Sequence, residues 1–94
     1  MAFCEFQNAR MDGNDFLADL TLNASGGGRY LFKCRFDVRD HGLNLTEGRR
    51  ADGTAPMDGE LRSIIRFHIF FIIDAIQDYI REHSDTDAMQ TSGR

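Results

Sequence analysis

The residues able to do chemistry are few and scattered. Ser25-Gly26-Gly27-Gly28 has the composition of a phosphate-cradling loop, but such loops open a helix whose N-terminal amides receive the phosphate. Here RYLFKCRFDVRD follows, with the alternation of a strand, so SGGG is expected to be a hairpin loop. None of His41, His68 and His83 shares an i, i+4 helical face with a second ligand. Cys4 and Cys34 belong neither to a CxxC nor to a Cys/His cluster of zinc spacing. No metal site is indicated, and both cysteines are expected to be small buried hydrophobes. Asp85 and Asp87 pair two carboxylates, in a polar stretch where neither burial nor a charged neighbour would tune them for proton transfer. Local spacing places no serine, cysteine or carboxylate beside His68, which is expected to be a structural, hydrogen-bonded or interface histidine. Neither catalysis nor a cofactor is expected.

The cations form the other cluster. Residues 29–50 hold six of the eleven basic residues against Asp37, Asp40 and Glu47, a net +3 within a chain whose total is −4. Arg29, Lys33, Arg35 and Arg39 should project from the solvent side of one strand, where they could meet phosphates. Asp15 and Asp19 on the preceding strand should neutralise part of that stripe, and no aromatic residue shares its face as a stacking platform. Nucleic-acid binding is therefore not expected. Arg49 and Arg50 remain as contacts for a small anionic ligand or an acidic partner.

The 94 residues suffice for one domain with one core. A composition of 41% hydrophobic and 28% charged residues is that of an ordinary globular protein. MAFCEFQNARMD lacks the basic and apolar regions of a secretory signal, so the cytoplasm is the expected compartment.

Period-two alternation predicts strands over 15–24, with Phe16, Ala18, Leu20 and Leu22 inward, and over 29–40, with Tyr30, Phe32, Cys34, Phe36 and Val38 inward. Their expected register sets Ala24 opposite Tyr30, Asp19 opposite Arg35 and Asp15 opposite Arg39. A slip by two would oppose Asp15 to Asp37, a like-charge pair. An opening strand is expected to turn back through a three-residue loop near MDGN, setting Cys4 and Phe6 against Leu20 and Ala18. A two-residue Asp12-Gly13 turn would aim Glu5 and Gln7 at the core. A short fourth strand, LNLT (43–46), should follow, then a mobile connection over 47–57. Asp58 is expected to cap a helix that runs to about His83, with Glu60 in its first turn. Residues 84–94 carry no periodicity and are expected to be disordered. The fold class is thus α+β: over 1–83, a three- to four-stranded antiparallel meander with one long C-terminal helix packed on one face.

That helix contains RFHIFFIID (66–74), whose apolar run is too short to span a bilayer. At 100° per residue, Leu61, Ile65, His68, Ile69, Ile72, Ala75, Ile76, Tyr79 and Ile80 share one face, suited to lie on the sheet. Ser63, Arg66, Asp74, Gln77 and Arg81 fall opposite. Phe67, Phe70 and Ile73 belong to neither set, and a single sheet covers only one side of a helix. Either another chain covers these three, or the 47–57 connection or the tail folds back over them. The functional expectation is a small cytoplasmic interaction protein without catalysis. It would associate with itself as a homodimer or larger homo-oligomer, or occlude a partner protein in an inhibitor, immunity or anti-defence role. Small bacterial and phage accessory proteins supply the analogy, which is one of class only. Phe67, Phe70, Ile73 and Arg66 are the expected contact residues. The competing expectation is an oligomer that holds a small anion such as a nucleotide through Arg49, Arg50 and the Gly26–Gly28 loop.

Overall fold

The computed structural model describes residues 2–83; the expectation for 84–94 lies outside the described residues. Four strands, β1 (Phe3–Asp12), β2 (Asp15–Asn23), β3 (Arg29–Asp37) and β4 (Gly42–Arg50), form one antiparallel sheet in the order β1-β2-β3-β4. One helix, α1 (Glu60–His83), packs across one face of it. The fold is the α+β meander that alternation and helical periodicity predict.

The core lies between β2, β3 and α1. Phe16, Ala18, Leu20 and Leu22 of β2 and Tyr30, Phe32, Cys34 and Phe36 of β3 are buried, as their period-two spacing requires. His68, Ile72 and Ile76, four residues apart, are the buried residues of α1. Full burial of an isoleucine is worth about 1.5–3 kcal/mol, so Ile72 and Ile76, both at 0% exposure, fix which side of the helix meets the sheet. Burial also pushes the thiols of Cys4 and Cys34 up to about 12. Cys34 is the buried hydrophobe expected of it, Cys4 is only half-buried against the core, and neither is in a disulfide.

The expected register of β2 against β3 is corrected. Leu22 opposes Tyr30, Asp19 opposes Lys33, and Asp15 opposes Asp37. A short loop closes the hairpin, with Ala24 N–H donating to the Gly28 carbonyl at 3.0 Å and Gly27 N–H to the Ala24 carbonyl at 3.1 Å. Gly27 and Gly28 supply the φ values of 91° and 93° that so short a loop needs. The Asp15–Asp37 repulsion is defused locally. Asp37 Oδ1 accepts from the N–H groups of Arg39 at 2.8 Å and Asp40 at 3.2 Å, while Asp15 reaches Arg35 at 3.4 Å.

The first hairpin also differs from expectation. Its loop has two residues, Gly13 and Asn14, between the Asp12–Asp15 pair, and Phe6 faces Leu20 while Cys4 faces Leu22. A bulge between Gln7 and Arg10, with Asn8 at φ 58°, inserts one residue and restores Cys4 and Phe6 to the core side. The inward set on β1 accordingly changes parity, from Cys4 and Phe6 to Ala9 and Met11.

β4 is longer than LNLT and absorbs residues 47–50 of the expected connection. A second bulge, with Glu47 at φ 53°, switches its inward set from Leu43 and Leu45 to Gly48 and Arg50. The helix begins two residues after Asp58. Gly59, at φ 77°, offers its carbonyl to Ser63 N–H at 3.0 Å, so Gly59 and not Asp58 occupies the capping position. Both bulges lie in edge strands, where they twist the open edge away from further pairing.

Candidate protein-interaction surface

A two-layer domain gives α1 one face to bury, and RFHIFFIID is apolar on more than one. Phe67 and Phe70 are 75% and 79% exposed, and Phe71 is 38% exposed. Arg66 and Asp74 flank them, also exposed. Ile73 is half-buried and packs against the core cluster, so it bridges the core to the outer face. Residues 47–57 leave Phe67 and Phe70 open, so the alternative in which that connection folds back over them is not met, while cover by the tail lies outside the described residues.

Phe71 escaped the sequence reading. At 100° per residue it falls between the sheet-facing stripe and the outer face, a boundary position that a binary sorting leaves unassigned. It borders a depression of about 700 Å³ between β1 and α1, together with Phe6, Ala75 and Tyr79, and with Glu5, Asp74, Asp78 and Glu82 at the rim. Phe6 and Tyr79 rings meet there at 5.2 Å. The aromatic surface therefore continues from the crest of the helix toward β1.

Charge along the outer face is segregated. Arg62 and Arg66 precede the phenylalanines, and Asp74 and Asp78 follow them. Asp78 accepts a hydrogen bond from Arg81. Among the described residues no ion pair engages Arg62, Arg66 or Asp74.

The two arginines expected at an anion site do not converge. Arg49 is exposed on the sheet face away from the helix, whereas Arg50 projects to the helix side and is half-buried. Arg50 Nε and Nη2 donate to Glu60 Oε2 at 2.9 Å and Oε1 at 2.6 Å, and Nη1 donates to Thr54 Oγ1 at 3.0 Å. Tyr30 OH donates to Glu60 Oε2 at 2.7 Å, and Met57 N–H to Oε1 at 2.9 Å. The Arg50 guanidinium, followed by the Met57 amide and the Tyr30 hydroxyl, holds the Glu60 carboxyl down to about 2. Such a charge-assisted fork locks the start of α1 to the end of β4.

His68 has a serine neighbour that spacing along the chain did not reveal. Its Nε2 accepts from Ser25 N–H at 3.2 Å and lies 3.4 Å from Ser25 Oγ, while Nδ1 donates to the Ile64 carbonyl at 2.8 Å. The ring nitrogen that a serine nucleophile would need as a base already accepts a backbone N–H. The orienting group is a carbonyl in place of a carboxylate. The arrangement tethers the β2–β3 loop to the helix.

On the opposite sheet face the basic stripe is largely matched. Lys33 meets Asp19 at 2.8 Å, Arg35 meets Asp15 at 3.4 Å and Arg29 meets Glu5 at 3.9 Å. Lys33 and Asn8 bonding to its carboxylate lowers Asp19 below the usual range. Among the described residues, no three His, Cys, Asp or Glu side chains group to hold a metal ion, and no helix is long and apolar enough to cross a membrane. No protein-family model, curated protein or solved structure matches the chain.

Proposed function

We propose that this chain is a small interaction protein without catalysis of its own. It works in the cytoplasm by presenting the outer face of α1 to another protein surface, either a further copy of itself or a partner that it occludes. An inhibitor, immunity or anti-defence role fits a domain of this size. The observation that carries the reading is the exposure of Phe67 and Phe70, at 75% and 79%, close together on a helix whose core face is already filled. Each such ring can remove 150 Å² or more from water on contact, and adjacent exposed aromatics mark interaction sites far more often than isolated ones do. Two unpaired thiols agree with a reducing compartment.

Purified wild-type chain and Phe67→Ser/Phe70→Ser, used as bait against the same native lysate and checked for self-association by sedimentation, test this reading. Both positions are exposed, so folding stability should change by no more than about 0.5 kcal/mol. Loss of a wild-type association in the folded variant is expected. An unchanged set of associations would remove the helix face from the account. The anion-binding alternative has less support, because Arg50 is consumed by Glu60 and Thr54 and Arg49 points to the other face.

A further inference from the structure

The proposed docking face carries a charge pattern that selects its occupant. We infer that the occupant is a second copy of this chain, its α1 lying antiparallel to the first about a two-fold axis at Phe70; this rests on the reading of that face as a docking surface. Arg66 and Asp74 stand four residues to either side of Phe70, about 6 Å along the helix, and Arg62 and Asp78 stand eight, about 12 Å, at 1.5 Å per residue. Phe67 and Ile73 complete the symmetry at three residues. Arg62 and Arg66 therefore occupy one half of the face and Asp74 and Asp78 the mirror positions of the other, with Arg81 beyond them against Asp78.

A two-fold axis perpendicular to α1 at Phe70 brings Phe70 against its own counterpart. It also sets Phe67 beside Ile73 of the second copy, Arg66 beside its Asp74 and Arg62 toward its Asp78. Because the contact is self-complementary, every attractive pair occurs twice. Parallel packing would instead bring each arginine to its own counterpart and each aspartate to its own, a repulsive arrangement. Arg62, Arg66 and Asp74 have no ion pair among the described residues, so the pairing breaks none within the domain. Asp78 already meets Arg81, which makes the outer pair the weaker one.

The area is that of a modest dimer. Phe67 and Phe70 on both copies supply roughly 600 Å² at about 150 Å² each, half of the ~1,200 Å² at which stable interfaces begin. Phe71, Ile73 and the apolar stems of the arginines must supply the rest. Association through the sheet edges is the competing geometry, and the bulges in β1 and β4 oppose it.

Sedimentation of the full chain between about 1 and 100 µM, a range matched to affinities of micromolar order, should show a dimer for wild type. Arg66→Asp alone and Asp74→Arg alone should each weaken it about tenfold, since two symmetric attractions become two repulsions. Mixed in equal amounts, the two variants should recover a 1:1 dimer about as tight as wild type. In that mixed dimer the introduced carboxylate of one chain meets the introduced guanidinium of the other, and the second contact keeps the native pairing of Asp74 with Arg66. Both substitutions are at exposed positions, and circular dichroism of each variant confirms that it is folded. A wild type that stays monomeric throughout overturns the inference while leaving the face open to a different protein. A wild-type dimer whose variants do not rescue one another overturns the antiparallel pairing alone. A dimer indifferent to Phe70→Glu overturns both this inference and the docking surface beneath it.

Discussion

Gly48 controls how closely the edge of the sheet approaches the helix, and replacing it is a direct probe of that packing. A Cβ at this position would lie 2.6 Å from Phe32 Cε1, 2.9 Å from Phe32 Cδ1 and 3.1 Å from Leu61 Cδ1. Phe32 is 4% exposed and lies on the central strand β3, so its ring has little room to withdraw. Overpacking of this kind costs about 1–3 kcal/mol, offset by about 0.4–1 kcal/mol because alanine restricts the unfolded chain. The net loss for Gly48→Ala is then about 1.3 kcal/mol at the centre of these ranges, which lowers Tm by roughly 5–10 °C in a domain of this size. Gly42→Ala is the control: a Cβ there meets nothing within 4 Å, so the substitution should be neutral or slightly stabilising. Thermal unfolding followed by far-UV circular dichroism measures both. Phe32→Leu in the Gly48→Ala background should cost less than it does in wild type, since the smaller side chain vacates the contested space. If Gly48→Ala matches Gly42→Ala, the Phe32 ring does not lie beneath the β4 bulge, and the account of how α1 starts over that edge fails.

Two further outcomes follow from the titratable groups. Glu60 is held down to about 2 from an ordinary 4.5, so its contribution to stability is complete above 4.5 and lost as pH falls toward 2. The gap in urea midpoint between wild type and Glu60→Gln should therefore stay level from neutral pH down to about 5 and close between 4.5 and 2; a gap that persists at pH 2 would show that the Arg50–Glu60 fork does not form. Cys34, 4% exposed and raised to about 12 from 9.0, should resist iodoacetamide in the native protein at pH 8. Its thiolate fraction is about three orders of magnitude below that of an ordinary thiol, so native labelling as fast as in guanidinium would place Cys34 outside the core.

The alternation in β2 and β3 was legible because half-buried strands repeat every two residues without interruption. The register between them was not. The expectation weighed a like-charge pair, Asp15 against Asp37, as if both carboxylates had only each other. In the fold Asp37 turns to the amides of Arg39 and Asp40, and the backbone geometry of a short glycine-rich loop decides the pairing. The two bulges left a trace that could have been found: the apolar parity changes between Phe6 and Ala9, and again between Leu45 and Gly48. A parity change inside a strand is the signature of an inserted residue. The Arg50–Glu60–Tyr30 cluster was illegible for a different reason. It joins three elements through side chains that only the tertiary fold brings together, as does the bond between His68 and Ser25. Phe67 and Phe70 were readable as outliers because helical periodicity assigns a direction to every residue without knowledge of the sheet.

The same physics that makes this fold simple restricts how it can associate. One sheet layer and one helix leave four outward boundaries: two sheet edges, the uncovered sheet face and the outer side of the helix. Each edge strand carries a bulge with a non-glycine residue at positive φ, Asn8 in β1 and Glu47 in β4. A left-handed conformation is unfavourable for Glu47 and tolerated by Asn8, and the bulge it forms at a sheet edge hinders the addition of another strand. The uncovered face is polar, with Glu5, Asp15 and Asp19 set against Arg29, Arg35 and Lys33, so burying it would remove paired charges from water with little apolar contact in return. The outer helix face offers the most exposed aromatic area among the described residues, with Phe67 and Phe70 at 75% and 79% between cations on one side and anions on the other, against a single ring, Phe3 at 50%, on β1. Association that uses any other boundary would have to overcome strand geometry or desolvate matched ions. Association through α1 buries rings that nothing else in the described residues covers, and the order of its charges determines which orientation is favoured.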